Sequence, residues 1–264
     1  GRGRDRRRGR GVNAGEVLHV ADAEGVRFLT LDRPEARNAF DLSLYVALAG
    51  ALDDARGDDS VRVVVITGAG RVFSAGQDLA EMTALAQGTA AEGAEHGFRT
   101  LLAAVEAFDK PLLAAVNGAG VGIGFTLLLH CDMVFLAESA RLRVPFAEMG
   151  VPPEAASSLL LARRVGRQQA ARILLTAEWV PAADAVRLGI ALAVVPDDQL
   201  QAHVAGVAAR IAQHPLAGLR AVAGLVRAAE ADDVTAARAR EEAAFADLLA
   251  GFVTPGVGGK PLPR

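Results

Sequence analysis

Two runs of the chain, VRVVVITG at 61–68 and KPLLAAVNG at 110–118, are apolar on successive positions and end in glycine. A strand without a polar face must be covered on both sides, which points to a sheet buried inside α/β layers. Each run leads into a glycine-rich turn, GAGRVFSAGQD and AGVGIG respectively. A helical stretch follows, near 79–86 and 95–108 after the first turn and through His130 after the second. Parallel strands need such a crossover, so the repeated order of strand, turn and helix argues for a parallel sheet.

The rest of the chain fits that frame. Residues 15–20 and 26–32 flank the turn DAEG and read as a β-hairpin. Asp41 is a candidate N-cap for a helix over 42–56, with Leu42, Tyr45, Leu48 and Leu52 at helical spacing. MVFLA at 133–137 and IALAVV at 190–195 read as strands, and helices near 198–213, 216–230 and 233–250 are amphipathic and alanine-rich. The expected organisation is a basic segment at 1–13, a core over 14–200 and a helical region over 201–264, with no internal repeat and no linker.

Composition narrows the function. With 264 residues, 52% of them hydrophobic, the chain can bury a large interior, and its apolar runs are too short to span a membrane. The single cysteine, Cys131, permits no intrachain disulfide and fits a reducing cytoplasm. The five histidines do not fall in ligand-like pairs, so no metal site is expected. With +5 in its first ten residues, GRGRDRRRGR, a chain of net charge −3 carries −8 elsewhere. That tail reads as a disordered or non-native extension. It also leaves RNA binding as a rival class, against which the acidic body argues.

The glycine turns can be read in two ways. Backbone N–H groups there can face an anion, or the glycines can simply let helix and strand pack closely. The glycines at 118, 120, 122 and 124 do not have the spacing of a dinucleotide fingerprint, and no Walker A pattern occurs.

RPEARNAF at 33–40, VVVITGAGRVFSAGQDL at 63–79 and AAVNGAGVGIGFTLLLHCD at 114–132 resemble, in that order, signatures of the enoyl-CoA hydratase/isomerase, or crotonase, superfamily. The resemblance runs from about residue 14 to about 250, although the charged, Phe-containing ending common in the family is missing. It implies a crotonase-type α/β spiral of ββα units, a helical C-terminal trimerisation region, and a homotrimer or dimer of trimers. It implies acyl-CoA thioester substrates in fatty-acid or related degradation, with coenzyme A as part of the substrate and no separate cofactor. It places two oxyanion-hole N–H groups on Gln77 and Ile123. Ala75, Gly76, Gln77, Asp78, Leu79 and Gly122 would line the CoA and substrate site, with Asp78 bracing the turn. Two preorganised donors aimed at a thioester oxygen would stabilise the enolate-like charge formed when an α-proton leaves.

PFAEMGVPPEAASS at 145–158 contains two candidate bases, Glu148 and Glu154. Hydration in the family uses two glutamates, one matched here by Thr126 and the other by Glu148, so the pair is half missing. Shifting a double bond from C3–C4 to C2–C3 needs one carboxylate. By resemblance to peroxisomal Δ3,Δ2-enoyl-CoA isomerases that carboxylate is Glu154, expected at the opening of a helix beside the small residues Ala155, Ala156, Ser157 and Ser158. The alternative is a 2-enoyl-CoA hydratase working through Glu148. His130, Cys131, Tyr45 and Trp179 read as core or packing residues.

Overall fold

The computed structural model describes residues 17–253 apart from 88, 90–92, 94–95 and 229–230. The basic segment 1–13, the first residues of the expected hairpin and the closing TPGVGGKPLPR lie outside the described residues.

The chain opens with β1 (Leu18–Ala23) and β2 (Val26–Leu31), an antiparallel pair with Leu18 opposite Leu31 and Ala23 opposite Val26. Glu24 and Gly25 between them both have positive φ, as a tight two-residue hairpin turn requires. Helix α1 (Leu42–Gly57) follows, its N-terminus closed by Asp41, whose side chain accepts the Leu44 N–H. Three turns of the spiral come next. Strand β3 (Val63–Gly68) is followed by β4 (Val72–Ser74), α2 (Leu79–Ala86) and α3 (Gly97–Ala107). Then β5 (Leu112–Val116) leads to β6 (Ala119–Val121) and α4 (Ile123–Thr126), and β7 (Met133–Ala137) to β8 (Arg141–Arg143) and α5 (Phe146–Met149). The remainder comprises α6 (Ser157–Val165), α7 (Arg167–Thr176), β9 (Val180–Pro181), α8 (Ala182–Arg187), β10 (Ala193–Val195), α9 (Leu200–Ala212), α10 (Leu216–Ala228) and α11 (Ala231–Val253).

The strands sort into two sheets. Six form the order β1-β2-β3-β5-β7-β10, parallel from β2 onward. The other four form β4-β6-β8-β9, with only β8 and β9 antiparallel. β3, β5 and β7 each hand the chain to a short strand in the second sheet before a helix returns it, which is the expected ββα spiral. Every residue of β3 and β5 is buried. Helix α9 packs against β2, β3, β5 and β7 with Leu200, Val204, Ala208 and Ala212, a face with four-residue spacing whose alanines let the helix sit close. Among the described residues no helix is long and apolar enough to cross a membrane.

Three expectations change. The short sheet was not foreseen, because strands of two or three residues carry no usable alternation. The apolar helix through His130 is a four-residue α turn continued as a 3-10 stretch over Leu127–His130. In IALAVV the strand is confined to Ala193–Val195, preceded by one bond from Leu192 N to Val134 O, because the N–H groups of Ile190 and Ala191 are both taken by Ala185 O of α8.

Lys110 is buried, and its ammonium donates to Ala55 O at 2.6 Å, Asp58 O at 2.7 Å and Val61 O at 2.8 Å. One cation thus ties the end of α1 and the entry to β3 to the start of β5. Lys110→Met keeps the volume but leaves three carbonyls without that donor, and should cost roughly 3 kcal/mol in urea unfolding. Arg at this position should not restore the loss, since a planar fork cannot meet three converging carbonyls.

Candidate active site

The first glycine turn is stitched to RPEARNAF. Arg37 and Asn38 both take left-handed backbone. The buried Asn38 amide accepts from Arg33 N and donates to Ala69 O and Val72 O. Ala75 N then donates to Arg37 O, Phe40 N to Gly76 O and Asp78 N to Phe40 O. In such strand-like pairing the bonded groups alternate, so the N–H of Gln77 faces away from this segment. Among the described residues that N–H has no acceptor. Asp78 caps α2 through Ala80 N and Glu81 N and pairs with Arg33, which also reaches Asp41 at the start of α1. One arginine thereby joins two helix caps.

The second turn meets the first backbone to backbone. A methyl group on Gly76 would stand 2.8 Å from Val121 O, and one on Gly124 would stand 2.8 Å from Ser74 O. Gly122, at φ 53° and ψ −122°, adopts a conformation costly for any residue with a β-carbon. Its N–H donates to Arg143 O, and its carbonyl accepts from Phe125 N and Thr126 N. Ile123 begins the helical turn, so its N–H has no intrahelical acceptor, and among the described residues it has no other. The glycines serve close packing, and that packing brings two unengaged N–H groups onto touching turns. Gly76 is buried, Ala75, Gln77, Asp78 and Gly122 are half-buried, and Leu79 is 64% exposed.

Thr126, three residues past Ile123, donates its hydroxyl to Glu154 Oε1 at 2.5 Å. Glu154 Oε2 is shut off from solvent and has no partner, although the residue as a whole is only half-buried. Burial pushes the Glu154 carboxyl up to about 8, the Thr126 hydrogen bond opposing and the negative charge of Glu241 adding to the rise. Glu154 stands before α6 rather than in its first turn: Ala155 and Ala156 intervene, both left-handed, at φ 55° and 56°. The interaction of an acid with a helix terminus therefore does not account for it. His130 Nε2 meets Ala155 O at 2.8 Å, and burial lowers the His130 pKa, so the ring is neutral and donates through Nε2–H.

Glu148 lies elsewhere. Its carboxylate is 49% exposed and takes both oxygens to the Arg143 guanidinium, at 2.6 and 2.7 Å. It shares no hydrogen bond with Thr126 or Glu154. Cys131 is buried, its thiol pushed up to about 12 by desolvation, and Trp179 stacks under Arg141 at 4.2 Å.

Three residues were missed in the sequence reading. Thr126 counted only as an absent glutamate, yet it holds the buried carboxyl. Tyr45 counted as packing. It does pack against Phe40 and, edge-on, against Phe98, but its hydroxyl also donates to Gln77 Oε1 at 2.5 Å, and Gln77 Nε2 donates to Glu81. Burial raises the Tyr45 pKa well above 10, with Glu154 the first charge to add, so hydroxyl and carboxyl lie within electrostatic reach. Glu241 on α11 gave no signal, being one acid in an acidic amphipathic run.

The chain matches the family "Enoyl-CoA hydratase/isomerase" over residues 21–251. It is 36% identical over 233 residues to 2,3-dehydroadipyl-CoA hydratase of Escherichia coli K12, covering 88% of this chain and 90% of that one. It is 31% identical to human enoyl-CoA delta isomerase 2, over 86% of this chain and 58% of that protein. The crystal structure of an enoyl-CoA hydratase/isomerase from Pseudoalteromonas atlantica T6c superposes with a TM-score of 0.83 at 36% identity, covering 89% of this chain and 92% of the other. With its two-sheet spiral and paired glycine turns, the chain belongs to the enoyl-CoA hydratase/isomerase (crotonase) family of acyl-CoA enzymes.

Proposed function

We propose that the protein is a Δ3,Δ2-enoyl-CoA isomerase with Glu154 as its proton shuttle. The observation that carries this reading is the Glu154 carboxyl, desolvated and held by Thr126 through one oxygen while the other is unpartnered. In this reading the thioester oxygen of a 3-enoyl-CoA lies on the N–H groups of Gln77 and Ile123. Glu154 Oε2 takes a proton from C2; the C2–H pair forms C1=C2 as the carbonyl pair moves onto the thioester oxygen, so the charge rests there with C3=C4 in place. On reprotonation the carbonyl re-forms, C1=C2 shifts to C2=C3 and the C3=C4 pair makes the new C4–H bond. The same carboxyl returns the proton to C4. No water enters the product, no electron leaves it, and one base suffices. The human relative is named for a delta isomerase activity.

Hydration of a 2-enoyl-CoA is the second reading, favoured by the name of the Escherichia coli relative. Against it stand Thr126 in place of a second carboxylate and the engagement of Glu148 with Arg143.

Isomerisation of 3-enoyl-CoA, followed by the absorbance of the conjugated product, should fall by about 10²-fold or more in Glu154→Gln. Glu148→Gln should stay within about threefold of wild type. Strong hydration of 2-enoyl-CoA with little isomerisation would overturn the proposal.

A shuttle must start ionised, so kcat/KM should rise with pH to a midpoint near 8, the value to which burial pushes Glu154. Thr126→Val removes a hydrogen bond that favours the ionised form. The midpoint should move to higher pH and the rate at pH 7 should drop roughly tenfold, since each pKa unit is a factor of ten.

The same shift has a stability consequence. The folded-state pKa of about 8 exceeds the ordinary 4.5, so between those values the native state binds the proton more tightly than the unfolded chain. Stability from this group is full below pH 4.5 and is lost as pH rises through 8. Glu154→Gln should therefore melt higher than wild type, by a margin that widens from pH 5 to pH 8, as thermal scans would show.

A further inference from the structure

The turn that presents Glu154 is not self-supporting. Ala155 and Ala156 are consecutive left-handed alanines, a conformation disfavoured for a residue with a β-carbon, and α6 starts directly after them without a side-chain cap of its own. The groups that hold this turn come from far along the chain. Glu241 on α11 accepts Ala156 N at 2.7 Å with Oε2, and with Oε1 accepts Ser158 N at 3.0 Å and the Ser158 hydroxyl at 2.5 Å. Its side chain is 7% exposed, and it meets its three donors across 83 to 85 residues of sequence. Helix α11 is itself seated by ion pairs: Arg163 with Asp233, Arg238 with Glu106 at 2.8 Å and Arg99 with Glu242 at 3.5 Å.

We propose that Glu241 is the positioning residue for the base. By anchoring Ala156 and Ser158 it holds the strained turn that aims the Glu154 carboxyl, so that docking of α11 is part of assembling the reactive site. The inference rests on Glu154 as the base. Neither Glu241 oxygen reaches Glu154, so the action runs through the backbone and through the field of its charge. The ionisable groups around the pair are few: Tyr45 on α1, Glu241 itself, Arg238 beside it, and His130 behind Ala155, with Glu106 and Arg164 near the imidazole. The negative charge of Glu241 favours the protonated form of the Glu154 carboxyl.

The test reads two quantities in Glu241→Gln: the kinetic constants for 3-enoyl-CoA, and the Glu154 titration in the substrate-free protein by carboxyl-region infrared difference spectroscopy, with Glu154→Gln identifying the band. Glutamine keeps the shape but places an amide where a second acceptor is needed, and removes the negative charge. Expected are a kcat lower by about tenfold or more with KM within about twofold, as for a displaced reacting group, and a Glu154 midpoint moved to lower pH. Ser158→Ala keeps the charge and both backbone bonds. It should lower kcat by only about two- to fivefold and leave the midpoint in place. A folded Glu241→Gln with wild-type kcat and an unmoved midpoint overturns the proposal. If that variant does not fold, Ser158→Ala decides, and an unchanged kcat there overturns it. A wild type that titrates as described but does not isomerise 3-enoyl-CoA sinks the reading of Glu154 as base, while the midpoint in Glu241→Gln still reports on the anchor.

Discussion

How closely two backbone turns approach governs this site. The chain leaves β3 and β5 through corners with no room for a side chain: a methyl on Gly118 would stand 2.0 Å from Arg71 O, and one on Gly68 would stand 2.6 Å from Phe73 O. Asn117 bridges the same corner, accepting Gly68 N and donating to Gly70 O. Those corners send the chain into the short sheet, where β4 and β6 pair and Gly76 comes to lie against Val121 and Gly122. Contact at that distance exists only between main chains. The N–H groups of Gln77 and Ile123 share a neighbourhood because glycine allows it, and they stay unengaged because pairing alternates at one turn and a helix begins at the other.

Glu154 shows the opposite economy. A carboxyl with an unpartnered, sealed oxygen next to two left-handed alanines destabilises the fold on every count, and nothing in local sequence preference would place it there. Distant groups hold it instead: the Thr126 hydroxyl from α4, the His130 ring behind Ala155, and Glu241 from α11. The carboxyl is costly to bury yet supported by three separate elements, and its raised pKa comes from the same desolvation that weakens the native state.

Legibility in the sequence followed the length and regularity of each element. The long sheet could be read because VRVVVITG, LLAAV and MVFLA have no polar face, and α1 because Asp41 and the leucine spacing mark its start and its buried side. The second sheet could not, since AGV and RLR are too short to show a period and pair only through corners formed by tertiary contact. In sequence only the family resemblance told Glu154 from Glu148, since both are lone acids in a segment with little other charge. Folding separated them, because β8 presents Arg143 to Glu148 whereas α4 presents Thr126 to Glu154. Tyr45 looked like core because its ring is core, and only its hydroxyl reaches Gln77.

By itself, then, the sequence determined the buried strands, the glycine corners and the family to which they belong, because hydrophobic period and steric freedom are properties of short segments. The tertiary structure alone decided which carboxylate is dry, what holds it and which N–H groups remain unengaged. Desolvation and hydrogen bonding depend on neighbours contributed by distant parts of the chain: Glu154 takes its character from Thr126, 28 residues before it, and its setting from Glu241, far down the last helix. No local pattern records such distances, because each partner is an ordinary residue where it stands in the chain.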